Sequence, residues 1–199
     1  MYWVTADLHL DHKNIIRHAD RPFIDLESMN ELLISNWNDW VDPKDTVVIV
    51  GDFAWKRHAH FLQALRGKKI LVRGNHDKMS RAVFDQFTAV HDIWQTSIDS
   101  QMVIFCHYPL RSWNAKCHGS WHFYGHCHGR LPEYPDTCSC DVGIDVWDYQ
   151  PVPWPVLKNK MLCKQDPMLR DAGTLRTAVA ELRETNRSFL EDTSWIKEN

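Results

Sequence analysis

The chain has 199 residues, 44% of them apolar and 25% charged, with a formal charge of −3. That suits one soluble globular domain with a full core. No apolar run approaches the ~18 residues of a membrane span. The basic residues are scattered apart from Lys56-Arg57 and Arg66 to Lys69, so no duplex nucleic acid is expected as partner, since phosphate neutralisation supplies most of that affinity.

Residues 2–6 read as a short buried strand, which leaves no room for a cleavable leader and points to the cytoplasm. A loop from 8 to 24 follows, broken at Arg21-Pro22. A helix is expected over 26–41, with Met29, Leu32, Leu33, Trp37, Trp40 and Val41 on one face. Ser28 with Glu31, or Asp25, starts it, and Asp42-Pro43 stops it. Residues 46–50 are a β-branched run fit for a strand buried on both faces. A short helix over 58–66 closed by Gly67, a parallel strand over 69–72 and a weaker helix over 80–87 come next. Strands are expected at 93–98, 102–106, 121–124 and 142–147.

Pro151, Pro153 and Pro155 exclude a regular helix there and close the sheet domain near residue 157. The apolar stripe of Leu175, Ala178, Val179, Leu182 and Phe189 predicts an amphipathic helix from about Asp171. It belongs to a C-terminal extension, 158–199, packing on or beside the domain. The six cysteines form no regular framework; Cys138 and Cys140 could join a zinc site with Cys117 or Cys127, but without a paired two-residue-gap knuckle the spacing favours buried or loop thiols.

Five expected strands are each followed by a short polar run. These are Asp7-Leu8-His9, Gly51-Asp52, Gly74-Asn75-His76-Asp77, His107 and Gly125-His126-Cys127-His128. Ligands of open α/β sheets bind beyond the carboxyl ends of the strands. Asp7 and His9, two residues apart at a strand end, point to one side, as do His126 and His128. Asp52 can bridge two ions through its two oxygens, Asn75 adds a carbonyl oxygen, and glycines before Asp52, Asn75 and His126 permit close approach. The mixed N/O set suits two divalent transition-metal ions, manganese foremost, with iron, zinc, nickel or cobalt as others. Two such ions bring about +4, the two aspartates about −2, and a bridging hydroxide leaves about +1, which attracts phosphate. His76 is placed to protonate a leaving oxygen, with Asp77 orienting it or capping the next turn.

In order and spacing these runs resemble the calcineurin-like metallophosphoesterases, over about residues 2–150. The closer resemblance is to a small branch of bacterial and phage predicted phosphoesterases. It rests on His12-Lys13-Asn14-Ile15-Ile16, Arg21-Pro22-Phe23, Met29-Asn30-Glu31 and Asp145-Val146-Trp147-Asp148-Tyr149. The resemblance implies a four-layer α/β/β/α sandwich, here with the C-terminal helical extension. It also implies one ion held by Asp7, His9, Asp52 and His128, a second by Asp52, Asn75, His107 and His126, and His76 as the catalytic histidine. Phe53-Ala54-Trp55 stands where many members carry an acidic residue or Asn and then Arg, which weakens a protein-phosphatase reading. Phosphate contacts are then expected from Asn14, Arg21, Lys78 and Arg111, with His12 either facing the pocket or an ordinary loop residue.

The expected activity is metal-dependent hydrolysis of a phosphomonoester or phosphodiester by in-line attack of a metal-bridging hydroxide. The substrate is small or flexible: a nucleotide, a cyclic nucleotide or a nucleic-acid end. The alternatives are a nuclease on single strands, with Trp55 and Trp113 stacking bases, and a binding module that kept the fold and lost the chemistry. No membrane partner is expected, and the protein is a monomer or homodimer.

Overall fold

The computed structural model describes residues 1–166. Strands β1 (Tyr2–Thr5), β2 (Thr46–Ile49), β3 (Lys68–Val72), β4 (Ala89–His91) and β9 (Val152–Pro153) form one sheet in the order β4-β3-β2-β1-β9. Its strands are parallel except β9. A second sheet, in chain order, holds β5 (Ile93–Ile98), β6 (Gln101–Cys106), β7 (Trp121–Tyr124) and β8 (Ser139–Asp141). There β5 and β6 are antiparallel while β6, β7 and β8 are parallel. The two sheets are flanked by helices, as an α/β/β/α sandwich requires.

The period-2 geometry of strands explains the layering. Trp3, Val47, Ile49 and Leu71 point to one side, into a core shared with α2 (Leu26–Trp40) through Met29, Leu33 and Trp37, and with α3 (His58–Ala64) through Phe61 and Leu62. Val4, Val48, Val50 and Val72 point the other way, into a core with Val103, Phe105, Trp121 and Phe123 of the second sheet. A strand buried on both faces needs apolar residues at every position, hence the unbroken run in β2. Asp25 caps α2, its carboxylate accepting from the Ser28 N–H at 2.8 Å.

Several elements differ from expectation, each for a local reason. A short helix α1 (Lys13–His18) lies inside the expected loop, buried only through Ile15, too little apolar pattern to read. The three alternating prolines do not exclude a helix: α5 (Trp154–Gln165) starts with Pro155 in its first turn, where a missing N–H removes no helical bond. It lays Trp154, Val156, Leu157 and Met161 into the second core. Residues 142–147 are not a strand. After β8 the chain bridges Ala6 through Gly143 and turns tightly over Ile144–Val146, which brings Asp145 back toward β1. α4 (Arg81–Phe84) is shorter than expected, and β4 was not foreseen. The amphipathic helix expected from about Asp171 lies outside the described residues. Among those described, no helix is long and apolar enough to cross a membrane; all six cysteines are free, and no cysteine joins a group able to hold a metal.

Candidate metal centre

Strands β1, β2 and β3 of one sheet and β6 and β7 of the other end at one rim, and each releases its polar run there. Beyond their ends β1 and β2 continue side by side: Asp7 N–H donates to Gly51 O (3.0 Å), His9 N–H to Asp52 O (2.9 Å) and Leu10 N–H to Phe53 O (3.1 Å). Five of the seven expected ligands have left-handed backbone, with φ of 57° at Asp7, 48° at His9, 56° at Asp52, 70° at His126 and 49° at His128. The shared direction of Asp7 and His9, and of His126 and His128, therefore comes from paired left-handed residues rather than strand alternation. Asp and His tolerate this region better than most residues, yet each instance costs about 1–3 kcal/mol, and such strain gathers at functional sites.

The two carboxylates are held alike. Asp7 Oδ2 accepts the His126 N–H at 2.8 Å, and Asp52 Oδ1 accepts the His76 N–H at 2.9 Å. Both approaches need glycine. A Cβ on Gly125 would stand 2.6 Å from Asp7 Oδ2, and one on Gly74 2.2 Å from Asp52 Oδ1. The second oxygen of each faces the imidazoles. Asp52 Oδ2 lies 3.4 Å from His9 Nε2 and 3.5 Å from His107 Nε2. A single oxygen of Asp52 thus stands between His9 and His107, its other oxygen being held by the His76 amide.

The donor set fits a metal. Asp7 Oδ1 and His9 Nε2 are buried and make no hydrogen bond, a costly state for polar atoms unless a cation satisfies them. Donor atoms of Asp7, His9 and His128 lie within 4.8 Å of one another, as do those of Asp7, Asp52 and His107. The nitrogens turned away from the centre have partners of their own. His107 Nδ1 lies 2.9 Å from Val50 O and His128 Nδ1 2.7 Å from Asp145 Oδ2, so each ring donates from Nδ1 and turns Nε2 toward the centre, where it would meet a metal. His107 Nε2 is also 3.1 Å from Asn75 Oδ1.

Electrostatics agree. Burial pushes the Asp7 carboxyl up to about 7, against the pull of His107 and His128, and holds His9 neutral, down to about 2. For His107 burial acts downward, but its hydrogen bond and charge interaction with Asp52, and the charge of Asp7, hold it above the usual range. Asp52, raised by burial, is pulled low by the same pairing. The proton favoured on His107 thus faces the two carboxylates, and a divalent cation held by these residues would supply the same positive charge in its place.

Around this floor the other expected residues divide. His76 sits over the centre, its ring 5.4 Å from that of His9 and 5.4 Å from Trp55. Asp77 does not orient it. Its buried carboxylate accepts the N–H groups of Asp52 (2.9 Å), Phe53 (2.9 Å) and Gly74 (2.7 Å), tying the β2 and β3 loops together. Arg21 is not at the pocket surface either: its guanidinium is fully buried, donating to both oxygens of Asp145 and to the carbonyls of Leu8 and Asp7, with Met29 Sδ alongside. Asn14 on α1, Lys78 and Arg111 are exposed. Trp113 is buried and bonded to Ser120, so it cannot stack a base. Trp55 is 45% exposed and Tyr108 44%, the latter edge-on to His107 and His126. Asp145 and Tyr108 were missed as site residues. The signals were present: Asp145 opens a run already noted, and Tyr108 directly follows His107.

Two stacked sheets delivering buried Asp and His to one rim define a metal-binding α/β protein. The chain belongs to the calcineurin-like phosphoesterase family, whose model matches residues 2–189; its class is therefore that of phosphoester hydrolases that use divalent metal ions. It is 32% identical over 160 residues to the uncharacterized protein MJ1445 of Methanocaldococcus jannaschii, covering 75% of this chain and 85% of the relative. It is 26% identical over 180 residues to the gene 66 protein of Mycobacterium phage L5, covering 73% and 86%. Among solved structures, the protein of unknown function AQ665 from Aquifex aeolicus shares the fold, with a TM-score of 0.61 at 21% identity over 76% of this chain and 94% of that one.

Proposed function

We propose that the chain hydrolyses a phosphomonoester or phosphodiester in a small or flexible substrate through a dinuclear centre, with manganese the metal of first choice. The observation that carries this is the pair of buried carboxylates, each with one oxygen fixed by a backbone amide and the other turned to imidazoles, beside the unsatisfied Asp7 Oδ1 and His9 Nε2. Asp7, His9 and His128 form one half of the centre, Asn75, His107 and His126 the other, and Asp52 stands between. When bound, the ions supply Lewis acidity and an ionised water for in-line displacement at phosphorus. The protein's part is to leave a net positive centre for phosphate, because only two of its ligands are anionic. His76 then protonates the leaving oxygen from above. With Arg21 and Asp77 engaged inside the protein, phosphate contacts fall to Asn14, Lys78 and Arg111.

Metal analysis of the purified protein is expected to find close to two ions per chain. Aryl phosphomonoesters and diesters with added Mn²⁺ test turnover. No activity with any metal, or activity unchanged in Asp52→Ala, overturns the reading. A nuclease acting on single-stranded ends is a second reading, supported by the exposed face of Trp55 next to His76; it predicts release of nucleotides from single-stranded but not duplex oligonucleotides.

A further inference from the structure

We propose that His12 is a positioning residue that sets the tautomer of His9, and that Trp55 holds it in place to do so. The inference rests on His9 being a ligand of the metal centre, and it goes beyond that reading in assigning roles to two residues outside the ligand set. The Nδ1 atoms of His9 and His12 are 3.2 Å apart. A contact between two ring nitrogens holds one proton, and the direction decides whether His9 can bind a cation. Coordination through His9 Nε2 needs a lone pair there, so the proton of neutral His9 sits on Nδ1 and is donated to His12. His12 then accepts at Nδ1 and carries its own proton on Nε2. In the reverse arrangement His12 donates, the His9 proton moves to Nε2, and the metal-facing nitrogen is blocked.

The other two braced imidazoles face no such choice. Val50 O behind His107 and the Asp145 carboxylate behind His128 can only accept. His9 alone among the three depends on a partner that can also donate, so the partner's placement matters. That placement is built. His12 N–H donates to His9 O at 3.1 Å, closing a turn that brings both rings to one side, and the His12 ring stacks on Trp55 at 4.4 Å with an interplanar angle of 10°. The Trp55 backbone is in turn tied by its amide N–H to Leu10 O at 2.8 Å.

Three variants separate acceptor from stack. His12→Asn keeps a carbonyl oxygen near the Nδ1 position and gives up most of the ring; His12→Phe keeps the ring and removes the acceptor; His12→Ala removes both. Full-length metal-free protein is titrated with Mn²⁺ by calorimetry. We expect His12→Asn to stay within about threefold of wild type, and His12→Phe and His12→Ala to bind roughly 10–100-fold more weakly, the usual loss for an outer hydrogen-bond partner of a ligand. In the Zn²⁺-loaded wild type, long-range ¹H–¹⁵N spectra should show the His9 proton on Nδ1, hydrogen-bonded, with that signature lost in His12→Phe. Equal affinity in all four proteins, or wild-type affinity in His12→Phe with loss in His12→Asn, overturns the assignment. Failure of the underlying reading is visible separately: wild type itself would then take up no ion, and the inference falls with it.

Discussion

The floor of the centre and its rim are built by different means. On the floor, Asp7, Asp52 and His107 are buried, and backbone groups hold each: the His126 amide, the His76 amide and the Val50 carbonyl. At the rim, Tyr108 and Trp55 are exposed, steadied mainly by ring contacts with His107, His126 and His12. Side chains fixed by main chain cannot move without refolding a loop, whereas rim side chains can be exchanged at little cost to the fold. On the proposed function, the floor would set the reaction type and the rim the choice of substrate.

The sharpest test of that division is Asp52→Ala. It removes the oxygen between His9 and His107, and with it the carboxylate that both rings face at the centre. Metal affinity should fall by well over about 100-fold, beyond the loss of an outer partner, and metal-dependent turnover should disappear. Inductively coupled plasma analysis after dialysis, alongside an aryl phosphate assay, reads both. A variant that keeps two ions would show that the floor is not where the metal sits.

Asp145→Ala probes the support beneath the floor. The Arg21–Asp145 pair is almost wholly enclosed, with the guanidinium fully buried and the carboxylate 6% exposed. Removing one partner of a buried pair costs about 3–5 kcal/mol, and loss of the His128 brace should weaken metal binding by roughly 10–100-fold. Urea unfolding and metal titration measure the two effects. The exposed Arg57–Asp11 pair near the rim is the control. Its guanidinium is 48% exposed, so Arg57→Ala should leave the urea midpoint close to wild type.

These two regions also differ in how far the sequence revealed them. The convergence of the floor residues was legible because its pattern is local: a polar residue directly follows a strand, a glycine often precedes it, and Asp-x-His or His-x-His needs no long-range information. Even so the reason was misread, since left-handed backbone and not strand alternation aligns those pairs. The strand cores were legible from unbroken β-branched runs such as that in β2. Arg21 was misplaced because an arginine in a loop reads as surface charge until its partner, 124 residues away, is known. Asp77 was misread for the same cause, as three amides from two loops converge on it. Nothing in 142–147 marks a turn instead of a strand, because the turn exists to meet Ala6 and Arg21 across the sheet.

Acid tests the link between the second sheet and the rim loop that follows His107. His122 is fully buried; its Nδ1 faces Ile104 O at 3.1 Å and its Nε2 accepts the Leu110 N–H at 3.0 Å. Burial takes it down to about 4 from 6.5, against the upward pull of the backbone of Ile104 and Tyr108. The unfolded chain therefore binds a proton that the folded one refuses between these values. The stability His122 contributes is complete above pH 6.5 and is lost as pH falls toward 4, by about 2 kcal/mol between pH 7 and pH 5. In His122→Gln, which keeps an acceptor for Leu110, that part of the loss should vanish. Equal losses in both proteins, measured by urea unfolding at the two pH values, would remove His122 from the account of acid sensitivity.

The smallest expected effect lies wholly in the rim. Trp55 is the exposed indole beside His76, and stacking a flat ring on such a face is worth about 1–3 kcal/mol by alanine substitution. Trp55→Ala should therefore raise KM roughly tenfold for a phosphoester that carries a nucleobase, and change it little for a ring-free ester such as glycerol phosphate. Part of any loss shared by both substrates comes through His12, which Trp55 supports, and that part is seen independently as weaker Mn²⁺ binding. Only the ring-dependent remainder reports on substrate selection. If both substrates lose equally and metal affinity is intact, Trp55 belongs to the scaffold of the mouth, and the choice of substrate shifts to Tyr108, edge-on to His107 and His126.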